Sequence, residues 1–202
     1  MFDVLIIGGG AAGMSCALVL GSAKEKEYAK GKRIGVIIHQ KASHLQNALF
    51  NNVLGLEPGT TGADILKNGK QQLADQYPHV QQIEKEKVKS VFGEAGFFVV
   101  TTNKNQYKAN MVVIAVGYTK FFTIKGFEND IIPHPKSVAA KERIALKNND
   151  HLVRPGLFVA GTLAGWRSQF AIASGSGAHV ATDILTIWND GVDTKVHDKV
   201  VV

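Results

Sequence analysis

Six residues near the start of the chain, GGGAAG at positions 8–13, have the G-x-G-x-x-G spacing of a dinucleotide-binding turn. They follow a short apolar run, Asp3 to Ile7, that predicts a buried parallel strand, and they precede a predicted helix. In such a turn Gly8 permits the tight bend, Gly10 lets a phosphate approach the backbone, and Gly13 lets helix and strand pack closely. The helix amino terminus offers free amides to a pyrophosphate. The alternative is a glycine-rich turn without a ligand.

The residues after the second predicted strand, Arg33 to His39, depart from the dinucleotide pattern. An acidic residue is expected there to bind the ribose hydroxyls, whereas this chain has His39, Gln40 and Lys41. Either His39 or Gln40 can hydrogen-bond a ribose hydroxyl, and Lys41 would suit the 2′-phosphate of NADP. The departure weakens a simple NAD interpretation.

Two further strand ends carry small residues. A predicted strand over Met111 to Val116 ends in the sequence AVG at 115–117, and a strand over Gly156 to Ala160 continues into Gly161 and Thr162. Small residues at a strand end let a flat or phosphorylated group approach the backbone, although plain packing explains either one alone.

The predicted elements alternate in type along the chain. Helices are predicted over 11–22, 63–77 and 168–188, and short antiparallel strands over 88–92, 96–102 and 106–108. Residues 51–62 are predicted as a loop, and 120–153 show no readable pattern. This order predicts one α/β domain over residues 1–202, with a parallel sheet and a small β-meander in place of one crossover helix.

Composition excludes several classes of function. The chain has 202 residues, 45% hydrophobic and 20% charged, as expected for a soluble globular protein. The net charge of +6 comes largely from runs of mixed sign, typical of solvated faces rather than of nucleic-acid binding. Neither a run of about 20 apolar residues nor a basic leader is present, so we expect no membrane contact and a cytoplasmic location.

The side chains with redox or metal chemistry are few. Cys16 is the single cysteine, so a disulfide or CxxC pair within the chain is excluded and a buried structural thiol is expected. No histidine has metal-ligand spacing, so no metal site is predicted. His134 and His151 are proton-donor candidates, although a surface position is the stronger expectation. Trp166 and Phe170 are candidates for shielding a ring.

The three glycine-bearing motifs together resemble the FAD-binding half of the thioredoxin reductase-like pyridine nucleotide-disulfide oxidoreductases. The resemblance covers GGGAAG, the segment NVLG at 52–55 (similar to the N-x-P-G of that family), the meander, AVG, and the closing pattern GLFVAG followed by Q-x-A-I-A-x-G-x-G at 169–177. It implies a three-layer FAD/NAD(P)-binding, Rossmann-like domain, with FAD as the cofactor and a homodimer as the assembly.

The resemblance also implies roles for individual residues. The first turn would bind the pyrophosphate. Residues after the second strand and the backbone of the meander would bind the adenosine. The later motifs would bind the flavin and the ribityl chain. The implied cofactor-binding residues are Gly8, Gly10, Ala11, Ala12, Gly13, His39, Gln40, Asn52, Val88, Ala115, Val116, Gly117, Gly161, Thr162, Gln169, Phe170 and Ala171.

Two departures from the family pattern bear on function. Thr162 stands where the family has an Asp that binds the ribityl hydroxyls. Residues 118–155 fill the interval in which two-domain relatives carry a nicotinamide-binding domain and a CxxC pair. The sequence therefore predicts a flavin-dependent oxidoreductase whose electron donor and acceptor, small molecules or proteins, are external. A non-catalytic FAD-binding module, acting as an electron-transfer subunit or sensor, is the alternative, and no catalytic residue is assigned.

Overall fold

A parallel sheet whose strands are connected by helices and a meander forms the framework of the protein. The computed structural model describes residues 1–39 and 43–197. The α-helices are α1 (Ala11–Ser22), α2 (Gly62–Gln76) and α3 (Phe170–Trp188). The strands are β1 (Phe2–Ile7), β2 (Ile34–Ile38), β3 (Leu49–Phe50), β4 (Thr60–Thr61), β5 (Gln81–Glu84), β6 (Val88–Glu94), β7 (Phe97–Thr102), β8 (Gln106–Ile114), β9 (Ile131–Pro133), β10 (Ile144–Leu146), β11 (Leu152–Arg154) and β12 (Leu157–Val159).

The central sheet has the strand order β11-β12-β8-β1-β2-β5. The strands from β12 to β5 are parallel to their neighbours, and β11 is antiparallel at the edge. Parallel strands buried on both faces need uninterrupted apolar runs, which FDVLII in β1 and IGVII in β2 supply. The predicted α/β class and parallel sheet are confirmed.

Alternate residues of each central strand enter two different cores, which gives the fold three layers. In β1, Val4 and Ile6 pack on the helix side with α1 and α3. Leu5 and Ile7 point to the opposite face and pack against the meander. This alternation follows from the two-residue period of a strand. No helix within the described part of the chain is long and apolar enough to cross a membrane.

The antiparallel meander is confirmed, but its third strand differs from the prediction. Residues 106–108 and 111–116 were predicted as separate strands, whereas β8 is continuous over Gln106–Ile114. Its first residues pair with β7, and the rest pair with β1 and β12. One strand therefore joins the meander to the parallel part of the same sheet, because Ala109 and Asn110 continue the extended backbone.

Helices α1 and α3 cross at very short range on the helix side of the sheet. A Cβ built on Gly177 of α3 would overlap the backbone carbonyl of Ala12 in α1. Glycine at this position therefore lets the two backbones touch. The contact brings the amino-terminal part of α3 against the first turn of α1.

The stretch 118–155, of which residues 120–153 showed no readable pattern in the sequence, is folded onto the meander side. Strands β9 and β10 form a small antiparallel pair within it, and Phe127 and Leu146 are fully buried in the meander-side core. Arg154 donates from Nη1 to Asp130 Oδ2 at 2.6 Å and from Nη2 to the Gly126 carbonyl at 3.1 Å. Between β8 and β12 the described residues form no second glycine-rich strand–turn–helix unit.

Candidate cofactor site

A cavity of about 1100 Å³ opens at the carboxyl ends of the parallel strands. Its walls include the residues that follow β1, β2, β8 and β12. This edge is where open α/β sheets bind their ligands, and the volume is slightly above the range for small-molecule sites, about 300–1,000 Å³. A second depression, of about 480 Å³, includes Phe2, Arg33 and Ile34 at the amino ends of β1 and β2, away from the glycine-rich turns.

Thirteen of the residues implied by the resemblance line this single cavity. They are Gly8, Gly10, Ala11, Ala12, His39, Val88, Ala115, Val116, Gly117, Gly161, Thr162, Gln169 and Phe170. The structure does not place three others on its walls: Gly13 is buried beneath the first turn, and Asn52 and Ala171 are exposed elsewhere. Gln40 lies outside the described residues, as does Lys41.

The turn between β1 and α1 is shaped by three glycines with different tasks. Gly8 has a φ of +116°, a conformation that L side chains rarely adopt. A Cβ on Gly13 would overlap the carbonyl oxygen of Gly8, so this glycine allows the helix to pack on the turn. A Cβ on Gly10 would meet nothing within 4 Å, because this residue faces the open cavity.

Within residues 1–39 and 43–197, no side-chain cap is found on either of the two helices that begin at the cavity. Gly10 precedes α1 and Gln169 precedes α3; neither donates or accepts a capping hydrogen bond from its side chain, and neither helix has an acidic residue in its first turn. Helix α2 begins elsewhere and is capped, since Thr61 Oγ1 accepts from the Asp64 amide at 3.1 Å. Uncapped amides and the helix dipole favour an anionic ligand at both cavity-facing ends.

The turn after β12, like the turn after β1, has a glycine with a positive φ at the end of a parallel strand. Gly161 has a φ of +77°, and its amide donates to Ser176 Oγ of α3 at 2.7 Å. Thr162 follows on the cavity wall, and its carbonyl accepts from His134 Nε2 at 3.0 Å. Backbone and helix are thereby fastened to each other at the point where the ribityl chain is expected.

Glu86 is a cavity residue that sequence reasoning missed. Its buried carboxylate accepts hydrogen bonds from Thr102 Oγ1 at 2.6 Å, Asn105 Nδ2 at 2.7 Å and Tyr107 Oη at 2.9 Å. Burial alone would raise the pKa of Glu86, but these hydrogen bonds outweigh burial and lower it. Its position after β5 was the available signal, and β5 itself was not predicted.

The expectation that His134 and His151 lie on the surface is wrong. Both are buried, with 5% and 3% of their surfaces exposed. His134 Nδ1 accepts from the Lys136 amide at 3.1 Å, so the neutral ring carries its proton on Nε2 and donates to Thr162. The segment 118–155 folds down onto the domain, and a single sequence gives no periodic signal for that packing.

Arg143 is the second wall residue that the sequence did not reveal. Its guanidinium lies over the ring of Tyr118 with 4.8 Å between the Cζ atom and the ring centroid. Its Nε atom is buried and has no hydrogen-bond partner in the described part of the chain. A buried donor without a partner is costly in a folded protein, so this atom is a candidate contact for a ligand in the cavity.

Of the remaining aromatic and thiol candidates, Phe170 lines the cavity, whereas Trp166 and Cys16 do not. Phe170 lines the cavity and contacts Phe50, with 5.3 Å between ring centroids. Trp166 is not among the cavity residues and stacks on His151 instead. Cys16 is completely buried, which confirms the expectation of a structural thiol.

Solved structures with the same fold include several redox proteins. An oxidoreductase from Agrobacterium tumefaciens superposes with a TM-score of 0.70 at 16% identity, covering 92% of this chain and 98% of that one. A thioredoxin reductase from Gloeobacter violaceus gives 0.73 at 13% identity and 98% of each chain. A ferredoxin-flavin thioredoxin reductase from Clostridium acetobutylicum gives 0.68 at 17% identity, covering 94% and 98%. At these identities the likeness shows the fold.

Comparison by sequence adds the family. No curated protein matches the chain. A family model described as pyridine nucleotide-disulphide oxidoreductase matches residues 2–171, which include β1, the meander and the start of α3. The family and the structural neighbours together support a flavin oxidoreductase as the broad class of the protein. By this match, the chain belongs to the pyridine nucleotide-disulphide oxidoreductase family.

Proposed function

We propose that the protein is an FAD-dependent oxidoreductase that takes its electrons from an external donor and passes them to an external acceptor. The observation that carries the proposal is the pair of uncapped helix amino termini, α1 and α3, at one large cavity. A dinucleotide has an anionic centre and two bulky ends, and it can use both positive helix ends at once. FAD, when bound, supplies two-electron redox chemistry.

The first turn and the meander are suited to the adenosine diphosphate half. Gly10 leaves the backbone open, and the amides of Ala11 and Ala12 are available to the pyrophosphate. His39 stands at the end of β2 for the ribose, and the wall segment around Val88 faces the adenine. The acidic residue expected after β2 is missing from this chain. Glu86, whose carboxylate is held by three hydrogen bonds, offers a fixed negative group on the cavity wall instead.

The second turn is suited to the flavin half. Gly161 and Thr162 line the path of the ribityl chain, where a threonine hydroxyl can hydrogen-bond in place of the carboxylate of the family. The backbone amides at the start of α3 face the cavity and favour negative charge on a reduced ring. Arg143 Nε adds a buried donor. Contacts from Asn52 and Ala171, which do not line the cavity, remain predictions.

The donor and the acceptor must be external to this unit. Cys16 is the single cysteine and is buried. The chain therefore has no accessible pair of thiols that could exchange electrons with a flavin. The stretch between β8 and β12 holds no nicotinamide-binding unit among the described residues. NADH or NADPH in solution, a dithiol or a partner reductase would supply electrons, and a substrate protein, a quinone or oxygen would receive them.

A second candidate is a flavin-binding module without turnover. The buried single cysteine and the lack of a nicotinamide-binding unit among the described residues favour it. Anaerobic mixing of the FAD-loaded protein with NADH, NADPH or dithiothreitol separates the candidates. The enzyme is expected to lose its yellow absorption within seconds with at least one of these donors. Flavin that dithionite reduces but that NADH, NADPH and dithiothreitol all leave oxidised would favour the module over the enzyme.

Assembly and location are part of the proposal. We propose a cytoplasmic homodimer, in which partly exposed apolar side chains such as Ile172 and Ile187 of α3 would be covered. Sedimentation equilibrium of the loaded protein is expected to give twice the chain mass of 21.8 kDa. A monomer at micromolar concentration would contradict the dimer and leave the cofactor proposal intact.

A further inference from the structure

A compact group of histidine and aspartate side chains lies apart from the cofactor cavity. Asp150 and His151 precede β11, and His179 and Asp183 stand one turn apart on α3. One potential ligand atom from each of Asp150, His151 and His179 falls within 4.8 Å of the others. None of the four residues lines the cavity.

The distances inside this group differ from those of hydrogen bonds. His151 Nδ1 is 3.5 Å from Asp150 Oδ1, His179 Nε2 is 3.5 Å from Asp150 Oδ2, and His179 Nε2 is also 3.5 Å from Asp183 Oδ2. Good N–H···O bonds are about 2.7–3.2 Å long. Ligands about 2.0–2.1 Å from a tetrahedral zinc ion are about 3.3–3.4 Å apart. The three N···O distances are close to this value, and the ligand atoms of Asp150, His151 and His179 as a set lie within 4.8 Å of one another.

A buried atom without a partner points into the same group. His151 is 3% exposed, and its Nδ1 has no hydrogen-bond partner among the residues that the structure describes. Its other ring nitrogen, Nε2, is 2.8 Å from Ser176 Oγ. The tautomer that donates from Nε2 to Ser176 leaves the Nδ1 lone pair free, which is the arrangement that metal-binding histidines use.

We propose that Asp150, His151 and His179, with Asp183 as the fourth ligand, bind one divalent ion of the zinc class. Two imidazoles and two carboxylates form a mixed N/O donor set that suits Zn²⁺. Asp150 and His179 are exposed, so the ion has access from solvent. The proposal is independent of the flavin and of the electron donor.

The charges of the group agree with an ion of this kind. Asp150 and Asp183 place two carboxylates beside His179, each with an oxygen 3.5 Å from its Nε2 atom. A divalent cation would balance the two carboxylates, which otherwise repel each other.

The backbone at the site is also held in an unusual conformation. Asp150 and His151 have φ values of +43° and +73°, which cost energy for residues other than glycine. The His151 amide donates to Asn148 Oδ1 at 3.0 Å, which fixes this turn. The strained turn aims both side chains at α3, and an ion would tie the turn to the helix.

Zinc binding to tag-free, chelator-treated protein tests the proposal. We expect isothermal titration and metal analysis to give one Zn²⁺ per chain and expect Zn²⁺ to raise the melting temperature. His179→Gln removes an exposed ligand and should lower the affinity at least about 100-fold. Asp183→Asn should lower it at least about 10-fold. His79→Gln, an exposed histidine elsewhere, is the matched control and should bind like wild type.

Trp166 gives a second, local readout. Its ring stacks on His151 with 5.9 Å between centroids and 13° between planes. Paramagnetic Co²⁺ or Cu²⁺ at the site should quench its fluorescence in wild type and in His79→Gln but much less in His179→Gln. Trp166→Phe should remove most of the quenching while Zn²⁺ still binds.

Two results would overturn the proposal. The first is wild-type protein that takes up no stoichiometric Zn²⁺ at micromolar concentration. The second is His179→Gln or Asp183→Asn protein that has the wild-type melting temperature without metal and binds Zn²⁺ like wild type. Because His179 and Asp183 are partly exposed, at least one of these variants should fold, which keeps the test decisive.

Discussion

Gly13 packs directly against the carbonyl group of Gly8, so that α1 sits on the turn that it follows. A Cβ on Gly13 would overlap that oxygen, whereas a Cβ on Gly10, three residues earlier, would project into open space in the cavity. The two glycines therefore have separable roles, one in the fold and one at the ligand.

Substitution of these glycines should separate folding from cofactor binding. We expect Gly13→Ala to lower the free energy of unfolding by about 2–3 kcal/mol, because the backbone must shift to relieve the overlap. Gly10→Val should leave urea unfolding of the apoprotein within about 0.5 kcal/mol of wild type and abolish FAD retention. A Gly10→Val protein that purifies with a full complement of FAD would show that the pyrophosphate lies elsewhere.

Charge at the uncapped amino terminus of α3 should change the redox potential of the flavin. Gln169→Asp places a carboxylate where no side-chain cap or acidic first-turn residue is present. It should stabilise the apoprotein and make the two-electron midpoint potential more negative by about 7–22 mV, from about 0.3–1 kcal/mol of altered charge interaction at a helix end. Gln169→Asn supplies a neutral cap and serves as the control in the same redox titration. An unchanged potential in Gln169→Asp would place the ring away from this helix end.

Glu86 should make stability depend on acid pH. Its folded-state pKa is lowered, so its contribution is present above the unfolded-state value of about 4.3 and is lost as pH falls through the folded-state value. Glu86→Gln should lower unfolding stability by about 1–2 kcal/mol at pH 7, and the difference from wild type should shrink below about pH 4.

Glu94 provides the matched comparison for that experiment. It is an exposed glutamate at the end of β6, on the same meander as the residues that bind Glu86. Glu94→Gln should change stability by less than about 0.5 kcal/mol at either pH. Equal losses in Glu86→Gln and Glu94→Gln in urea denaturation at pH 7 would argue against the buried network.

Cys16 should be chemically silent in the folded protein. Burial raises its pKa well above the ordinary value for a thiol, so almost no thiolate exists at neutral pH. We expect Ellman's reagent to detect no thiol within an hour in native protein and one thiol per chain in guanidinium, as the single cysteine requires. Rapid labelling of native protein would mean that α1 opens far more readily than its packing indicates.

The sequence revealed those parts of the fold whose signals are local. The strand–turn–helix at residues 8–13 is set by glycines, and the central strands by continuous apolar runs, so both were predictable. Strand β5 was missed because Gln81, Gln82 and Glu84 are polar and only Ile83 is buried in it. An edge strand of this kind gains its structure from pairing with β2, which no local pattern reports.

The sequence predicts the parts of the site where a ligand must approach the backbone closely. It does not predict the parts that long-range packing brings to the cavity. Glycines and small residues at strand ends mark the cofactor turns directly. His134, Arg143 and Glu86 reach the site through segments whose course depends on tertiary contacts, such as the bond from His134 Nε2 to the Thr162 carbonyl. His151, in the turn before β11, contacts His179 of α3, which is 28 residues later in the sequence. No motif spacing reports a contact of this kind.

Visible absorption of the protein after incubation with FAD and removal of unbound cofactor tests the central claim most directly. We expect a flavin spectrum with one FAD per chain, released intact on denaturation and identified as FAD by chromatography. A folded, colourless protein that takes up no added FAD would contradict the account, because both helix ends at the cavity would then lack the ligand for which they are left uncapped.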